Sequence, residues 1–249
     1  MSLENADQQV LSQLSDWIAE GIPSWLCTVV ETWGSSPRPV GSLLACNAEG
    51  HLVGSLSGGC IEEDLLEQLQ RGELASEQPV LHIYGVTQAE TERFGLPCGG
   101  QLHVVIEPFR DQQHLAALRE IVDHLTRRES IQRDVDLISV DMTLVPVDRF
   151  QHLTLTGDFS KEVPTDRRSM RQTFGPRYQL FLIGCGQVSQ YLAEMAKALD
   201  YHVIVCDPRP HLMEQWPVKG IQLITGYPDD AIRDTASDNY TAIVALTHD

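Results

Sequence analysis

The chain has 249 residues with 18 Lys and Arg against 35 Asp and Glu, a formal net charge of −17. At roughly 150 residues per domain that is one or two domains, and 42% hydrophobic with 21% charged residues is a globular composition, not a disordered one. Such a charge argues against nucleic-acid and anionic-membrane partners, whose phosphates would repel it; 13 of the 17 net negative charges lie in residues 1–175. No stretch approaches the roughly 18–20 apolar residues of a membrane span, and the polar, acidic start is unlike a signal peptide. Six cysteines without a CxxC pair read as reduced thiols in a cytoplasmic protein.

From Ala6 to Glu20, apolar residues recur every three or four positions (Val10, Leu11, Leu14, Trp17, Ile18), predicting an amphipathic helix that Gly21 and Pro23 stop. Trp25 to Thr32 reads as a strand, and the two prolines of Gly34 to Pro39 force a loop. Residues 42–46 and 51–57 flank the turn residues 47–50 as a hairpin, and Ile61 to Leu74 is helical with acids in its first turn. Strands at 80–84 and 101–107 enclose a glycine-rich loop at 94–100. A helix at 111–128 and strands at 135–142 and 150–156 follow. The polar, proline-bearing run 161–177 reads as a linker between a domain at 1–160 and another at 178–249. In the second domain, strand-like runs at 179–183, 202–206, 221–224 and 241–246 and a helix at 189–199 predict βαβ units and a parallel sheet.

Three constellations carry chemistry. Gly184 and Gly186, followed by Ser189 and, 21 residues after Gly186, by Asp207, have the order of a dinucleotide-binding turn. There the glycines admit a pyrophosphate at a helix N-terminus, small Ser189 keeps helix and strand close, and Asp207 would hold a ribose diol. Arg209 would suit a 2′-phosphate, and His248 and Asp249 follow a strand end where ligands of such sheets bind. Gly58 and Gly59 precede Cys60 at a helix start, a backbone nest that favours both a thiolate and a phosphate. Cys98 with Gly99 and Gly100 repeats the composition in reverse. For both cysteines the alternative is a small residue in a tight turn. Cys27, Cys46, Cys185 and Cys206 lie beside apolar runs and read as core. No histidine spacing suggests zinc.

In combination these segments resemble the XdhC/CoxI family, accessory proteins that mature molybdenum hydroxylases such as xanthine dehydrogenase. The matching residues are Thr28 to Arg38 with Gly41, Gly54 to Glu62, Gly95 to Gly100, Glu107-Pro108, Gly184 to Ser189, Asp207 to Arg209, and Leu246 to Asp249. The resemblance implies a chaperone, not a catalyst, that binds molybdenum cofactor (molybdopterin) and delivers it in sulfurated form to an apo molybdenum hydroxylase, alongside a sulfur-donating desulfurase. It makes Cys60 and Cys98 candidates for contact with the molybdenum, and soft thiolates suit that centre. The glycines at 58, 59, 99 and 100 and Arg38 become candidates for the cofactor's anionic tail. The implied fold is an N-terminal α+β domain followed by a Rossmann-like parallel-sheet domain that here stops after its fourth strand and leaves an open edge: either this is a truncated form or an oligomer partner covers the edge. The alternative reading is an NAD(P)-dependent oxidoreductase using Gly184, Gly186, Ser189 and Asp207; no Tyr-x-x-x-Lys pair follows to donate a proton. A thiol redox or sulfur-relay role for Cys60 and Cys98 is the third.

Overall fold

The computed structural model describes residues 6–34, 38–87, 90, 93–94, 100–158, 168–235 and 238–247, and at Cys60 the backbone alone. Three sheets organise the chain. The first is antiparallel and five-stranded, in the order β3 (Leu52–Gly54), β2 (Leu43–Asn47), β1 (Ser24–Trp33), β5 (Gln101–Phe109), β4 (Val80–Tyr84). Both of its faces are covered. Helices α1 (Ala6–Ala19) and α3 (Leu115–Arg127) pack on one side through Leu14, Leu118 and Ile121 against Leu26 and Phe109. Helix α2 (Cys60–Gln70) packs on the other, where Ile61 and Leu65 meet Trp25, Cys27, Val29 and Cys46. The period-2 alternation of β1 therefore sorts Trp25, Cys27 and Val29 to one face and Leu26 to the other.

The second sheet is antiparallel, in the order β7 (Met142–Val147), β6 (Ser130–Asp136), β9 (Ser169–Phe174), β8 (Thr154–Thr156). Its buried face meets the first sheet. Four strands present there the same apolar, polar, apolar sequence: Leu26-Thr28-Val30, Phe109-Glu107-Val105, Ile131-Arg133-Val135 and Phe174-Gln172-Met170. Thr28, Glu107, Arg133 and Gln172 thus form a polar seam between two apolar patches, closed by an ion pair from Arg133 Nη2 to Glu107 Oε1. Both residues are at most 1% exposed.

This seam accounts for two corrections to the sequence reading. Strands expected at 135–142 and 150–156 are instead β6, β7 and β8, because Arg133 interrupts the apolar alternation of β6. Part of the expected linker, 169–174, is a strand whose inward Gln172 disguises it; residues 159–167 of that run lie outside the described residues.

The third sheet is parallel, in the order β12 (Gln222–Thr225), β11 (Tyr201–Asp207), β10 (Tyr178–Ile183), β13 (Thr241–Ala245). This is a Rossmann-like arrangement, with the central strand first in sequence and the order reversing beside it. Helix α4 (Gln187–Ala198) and the short α5 (Pro210–Glu214) cover one face, and α6 (Pro228–Asp234) the other. The two short helices have no counterpart in the sequence reading; each is too brief to display a helical period. Inward, α4 packs Ala193 and Ala196, while Val188, Tyr191, Met195 and Leu199 form an outward stripe, each more than half exposed. Among the described residues, no helix is long and apolar enough to cross a membrane.

Breaking a buried pair on one side strands the other charge, so Arg133→Met should lower stability by roughly 3–5 kcal/mol in urea titrations. Adding Glu107→Leu should recover most of that loss. A double variant as unstable as the single one would remove the pair as its cause.

Candidate functional site

Cys60 is the first residue of α2, and the five residues before it form a tight loop around one side chain. The Glu62 carboxylate turns back and is saturated by that loop. Its Oε1 accepts from the backbone N–H of Leu56 and Ser57 (2.8 Å each) and Gly58 (2.9 Å), and from the Ser55 hydroxyl (3.0 Å). Its Oε2 accepts from the Ser57 hydroxyl (2.7 Å) and the Gly59 N–H (2.9 Å). Burial alone would raise the carboxyl; the backbone and hydroxyl donors of Ser57, Gly58 and Gly59 outweigh it and bring it down to about 2.

This corrects the role expected for the glycine doublet. The N–H groups of Gly58 and Gly59, read from sequence as a cradle for a phosphate, already hold the protein's own anion. The sequence presented Glu62 as an acid in a first helical turn and as the end of the Gly54 to Glu62 family segment, not as a clamp. What the glycines do provide is access: a Cβ built on either would meet nothing within 4 Å, and Gly58 has φ +98°. The backbone beside Cys60 is therefore open to a ligand and held rigidly from within.

The second glycine–cysteine loop begins beside the same helix. Arg93 donates to Asp64 Oδ1 of α2 (2.6 Å), and the Phe94 ring stacks edge-on against Tyr84 with centroids 5.3 Å apart. Gly100, at the far end, lies against Gly34, where an added Cβ would stand 3.3 Å from the Gly100 Cα. Cys98 and Gly99 lie outside the described residues, as do His248 and Asp249. Tyr84, which the sequence reading did not single out, is 2% exposed and its hydroxyl has no hydrogen-bond partner among the described residues. Burial pushes that phenol far above its ordinary value, with Asp64, Cys27 and Glu62 adding to the effect. Arg38, by contrast, sits on the opposite side of Ser55, whose carbonyl accepts from its Nε (3.4 Å).

Cys27, Cys46, Cys185 and Cys206 are free thiols buried in the core, as their apolar surroundings predicted. The Cys46 hydrogen bond and burial push the Cys27 thiol well up, so it is inert as a nucleophile. No cluster of three or more His, Cys, Asp or Glu able to hold a metal occurs among the described residues.

In the parallel sheet, Gly184 (φ +103°) is needed because an added Cβ would stand 2.8 Å from Thr247. The Ser189 hydroxyl donates to the Gly184 carbonyl (2.6 Å), drawing α4 onto the turn as expected. Gly186 caps α4 and faces open space. Asp207 departs from its expected role. It is fully buried, its Oδ2 accepts from the Cys185 N–H (2.8 Å) and Arg209 Nη2 (2.7 Å), and its Oδ1 from the Arg209 N–H (2.9 Å) and Nε (2.8 Å). The Arg209 guanidinium, joined by those backbone donors, lowers its carboxyl to about 2 against burial. The acid that would grip a ribose instead pins the turn to β11, and Arg209 is committed to it.

Residues 17–85 match the sequence model of the XdhC and CoxI family, and residues 180–249 match that of the XdhC Rossmann domain. The chain belongs to the XdhC/CoxI family. It is 24% identical over 249 residues to a probable xanthine dehydrogenase subunit from Bacillus subtilis (strain 168), covering 90% of this chain and 71% of that protein. It is 23% identical over 233 residues to the molybdenum cofactor insertion chaperone PaoD of Escherichia coli (strain K12), covering 90% of this chain and 59% of PaoD. A crystal structure described as a xanthine dehydrogenase from Bacillus halodurans has the same fold, with a TM-score of 0.56 at 22% identity over 98% of this chain and 75% of that one. The two family matches fall on the Glu62 loop and on the Gly184 turn.

Glu62→Gln would aim an NH2 group at N–H donors, costing about 2–3 kcal/mol of stability at neutral pH. Because the folded carboxyl titrates below its ordinary 4.5, that stabilisation is full above this value and fades as pH falls towards 2. Urea midpoints of wild type and variant should therefore converge in acid; a constant gap would show that the carboxylate charge is not involved.

Proposed function

We propose that this XdhC/CoxI protein carries molybdenum cofactor as cargo and presents it to a molybdenum hydroxylase of the xanthine dehydrogenase type. The observation that carries the reading is Cys60 at the N-terminus of α2, on a backbone loop open to solvent and clamped by Glu62. The fit to the cargo is chemical. A thiol is a soft ligand of the kind that soft metals prefer. Flanking glycines admit a bulky ligand, and the Glu62 clamp keeps the loop from collapsing when the cargo leaves. Cys98 belongs to this proposal as a second contact with the cargo, and Arg93, ahead of its loop, donates to Asp64 of α2.

The names of the relatives support the same reading, one being a cofactor insertion chaperone and another a probable component of xanthine dehydrogenase. Delivery in sulfurated form, with a desulfurase and the apo-hydroxylase as transient partners, belongs to this proposal, as do homo-oligomerisation and a cytoplasmic location. Use of NAD(P) receives less support, since Asp207 is engaged on both carboxylate oxygens.

Purified protein offered molybdopterin should retain it stoichiometrically, measured by fluorescence of the oxidised pterin. Cys60→Ser should weaken retention by more than the roughly tenfold that even an outer-shell partner of a metal is worth. Retention equal to wild type would remove the thiol role, and no uptake by the wild type would overturn the function.

A further inference from the structure

With the N–H groups of residues 56–59 all donating to Glu62, the Cys60 loop has none left for an anionic ligand. An anionic group bound near this loop would have to draw on donors other than these. A cavity of about 290 Å³ lies where the first domain meets the parallel-sheet domain, walled by Asp7 and Val10 of α1, by Arg38 and Ser42, and by Arg177 and Asp200. It is large enough for a phosphate group and the atoms attached to it.

Its two arginines come from different parts of the chain and are both positioned in advance. Arg38 donates to the Ser55 carbonyl (3.4 Å), and the Ser55 hydroxyl donates to Glu62, so the cavity connects directly to the loop before Cys60. Arg177, just ahead of β10, lies over the Phe150 ring at 5.0 Å. It also passes so close to Gly41 (φ +90°) that an added Cβ there would stand 3.0 Å from its Nη2. Gly41 is called for by its φ of +90°, and the guanidinium lies against the space that a side chain there would fill.

We propose that this cavity is a phosphate-monoester site, held by Arg38 and Arg177, for which the Asp7 carboxylate is the built-in competitor. That the phosphate is the cargo's own rests on the function proposed above. Two guanidinium groups from distant parts of the chain match an oxyanion better than either does alone. Among the described residues, the charged groups facing Asp7 are Arg177, Arg38 and Asp200, the last lying 3.6 Å from Arg128; His152 lines the adjoining cleft and bonds Tyr240 (2.9 Å). Burial raises the Asp7 carboxyl to about 6, with Arg177 opposing, Asp200 adding and Arg38 opposing. Below that pH Asp7 is neutral and the cavity carries a net positive charge. Above it, Asp7 and Asp200 balance the two arginines and the anion must compete. Anion binding therefore strengthens as pH falls.

Sulfate is the appropriate first probe, since its charge is constant where phosphate titrates. Titrating the full chain by calorimetry, we expect sulfate to bind about tenfold more tightly near pH 5 than near pH 8, or roughly 1.4 kcal/mol. Asp7→Asn should bind it tightly at both, a gain that misfolding cannot produce, and Arg177→Gln weakly at both. Equal affinities across the three proteins, or no binding at millimolar sulfate, would overturn the site. Molybdopterin, its dephosphorylated form and a nucleoside monophosphate then identify the source. Loss in Arg177→Gln of the preference for phosphorylated over dephosphorylated pterin assigns the site to the cargo. Loss of nucleotide binding instead assigns it to a nucleotide and overturns the cargo assignment. Sulfate binding in a wild type that takes up no pterin would sink the proposed function and leave the anion site standing.

Discussion

The ion pair between Glu107 and Arg133 is the fixed point of the first domain. Two sheets with purely apolar facing sides can slide over one another, because hydrophobic contact has no direction. A charged pair sealed between them permits one alignment only, since any slip leaves a buried charge without its partner. Gln172, directly across from Arg133, extends the same layer onto β9. What the seam aligns matters for the site. The second sheet leads through β9 and Gly175 directly to Arg177, so placing β9 against β5 also places that guanidinium opposite Arg38.

The Glu62 clamp and the Asp207–Arg209 pin are two versions of one device. In each, a glycine-containing turn ahead of a helix offers N–H groups that would suit a bound anion, and in each the protein supplies the anion itself. The turn is rigid before any ligand arrives. The consequence is that the turn's own donors are spent, leaving open backbone as the feature presented beside Cys60. In the parallel sheet Ser189 draws α4 onto the Gly184 turn, while Asp207 is engaged in holding that turn to β11.

Sequence alone disclosed the elements whose patterns are clean. Helix α1, strand β1 and the βαβ run from β10 to β11 follow the expected apolar periods, and the residues of the family pattern fall on the turns that matter. Strands β6 and β9 were hidden because Arg133 and Gln172 occupy inward positions where an apolar residue is the normal signal. The engagement of Glu62 and Asp207 was equally hidden, because a capping acid and a ligand-binding acid have the same spelling. Arg177 lay in a stretch too polar to read as anything but linker, and its relation to Asp7 and Arg38 exists only once some 170 residues of chain have folded between them. Local pattern finds elements; it does not find what two distant side chains do to each other.

The outward stripe of α4, with Val188, Tyr191, Met195 and Leu199, bears on how the molecule behaves in a crowd. Such a face is adhesive, yet each copy carries a net charge of −17, and like charges hold copies apart at distances longer than hydrophobic contact can reach. Colloidal stability is then a property of the medium as much as of the chain. Salt that shortens the reach of that repulsion, or acid that discharges the carboxylates, brings the stripes of two molecules into range. The conditions that favour an anion in the Arg38 cavity are thus also those under which the protein is most prone to meet itself.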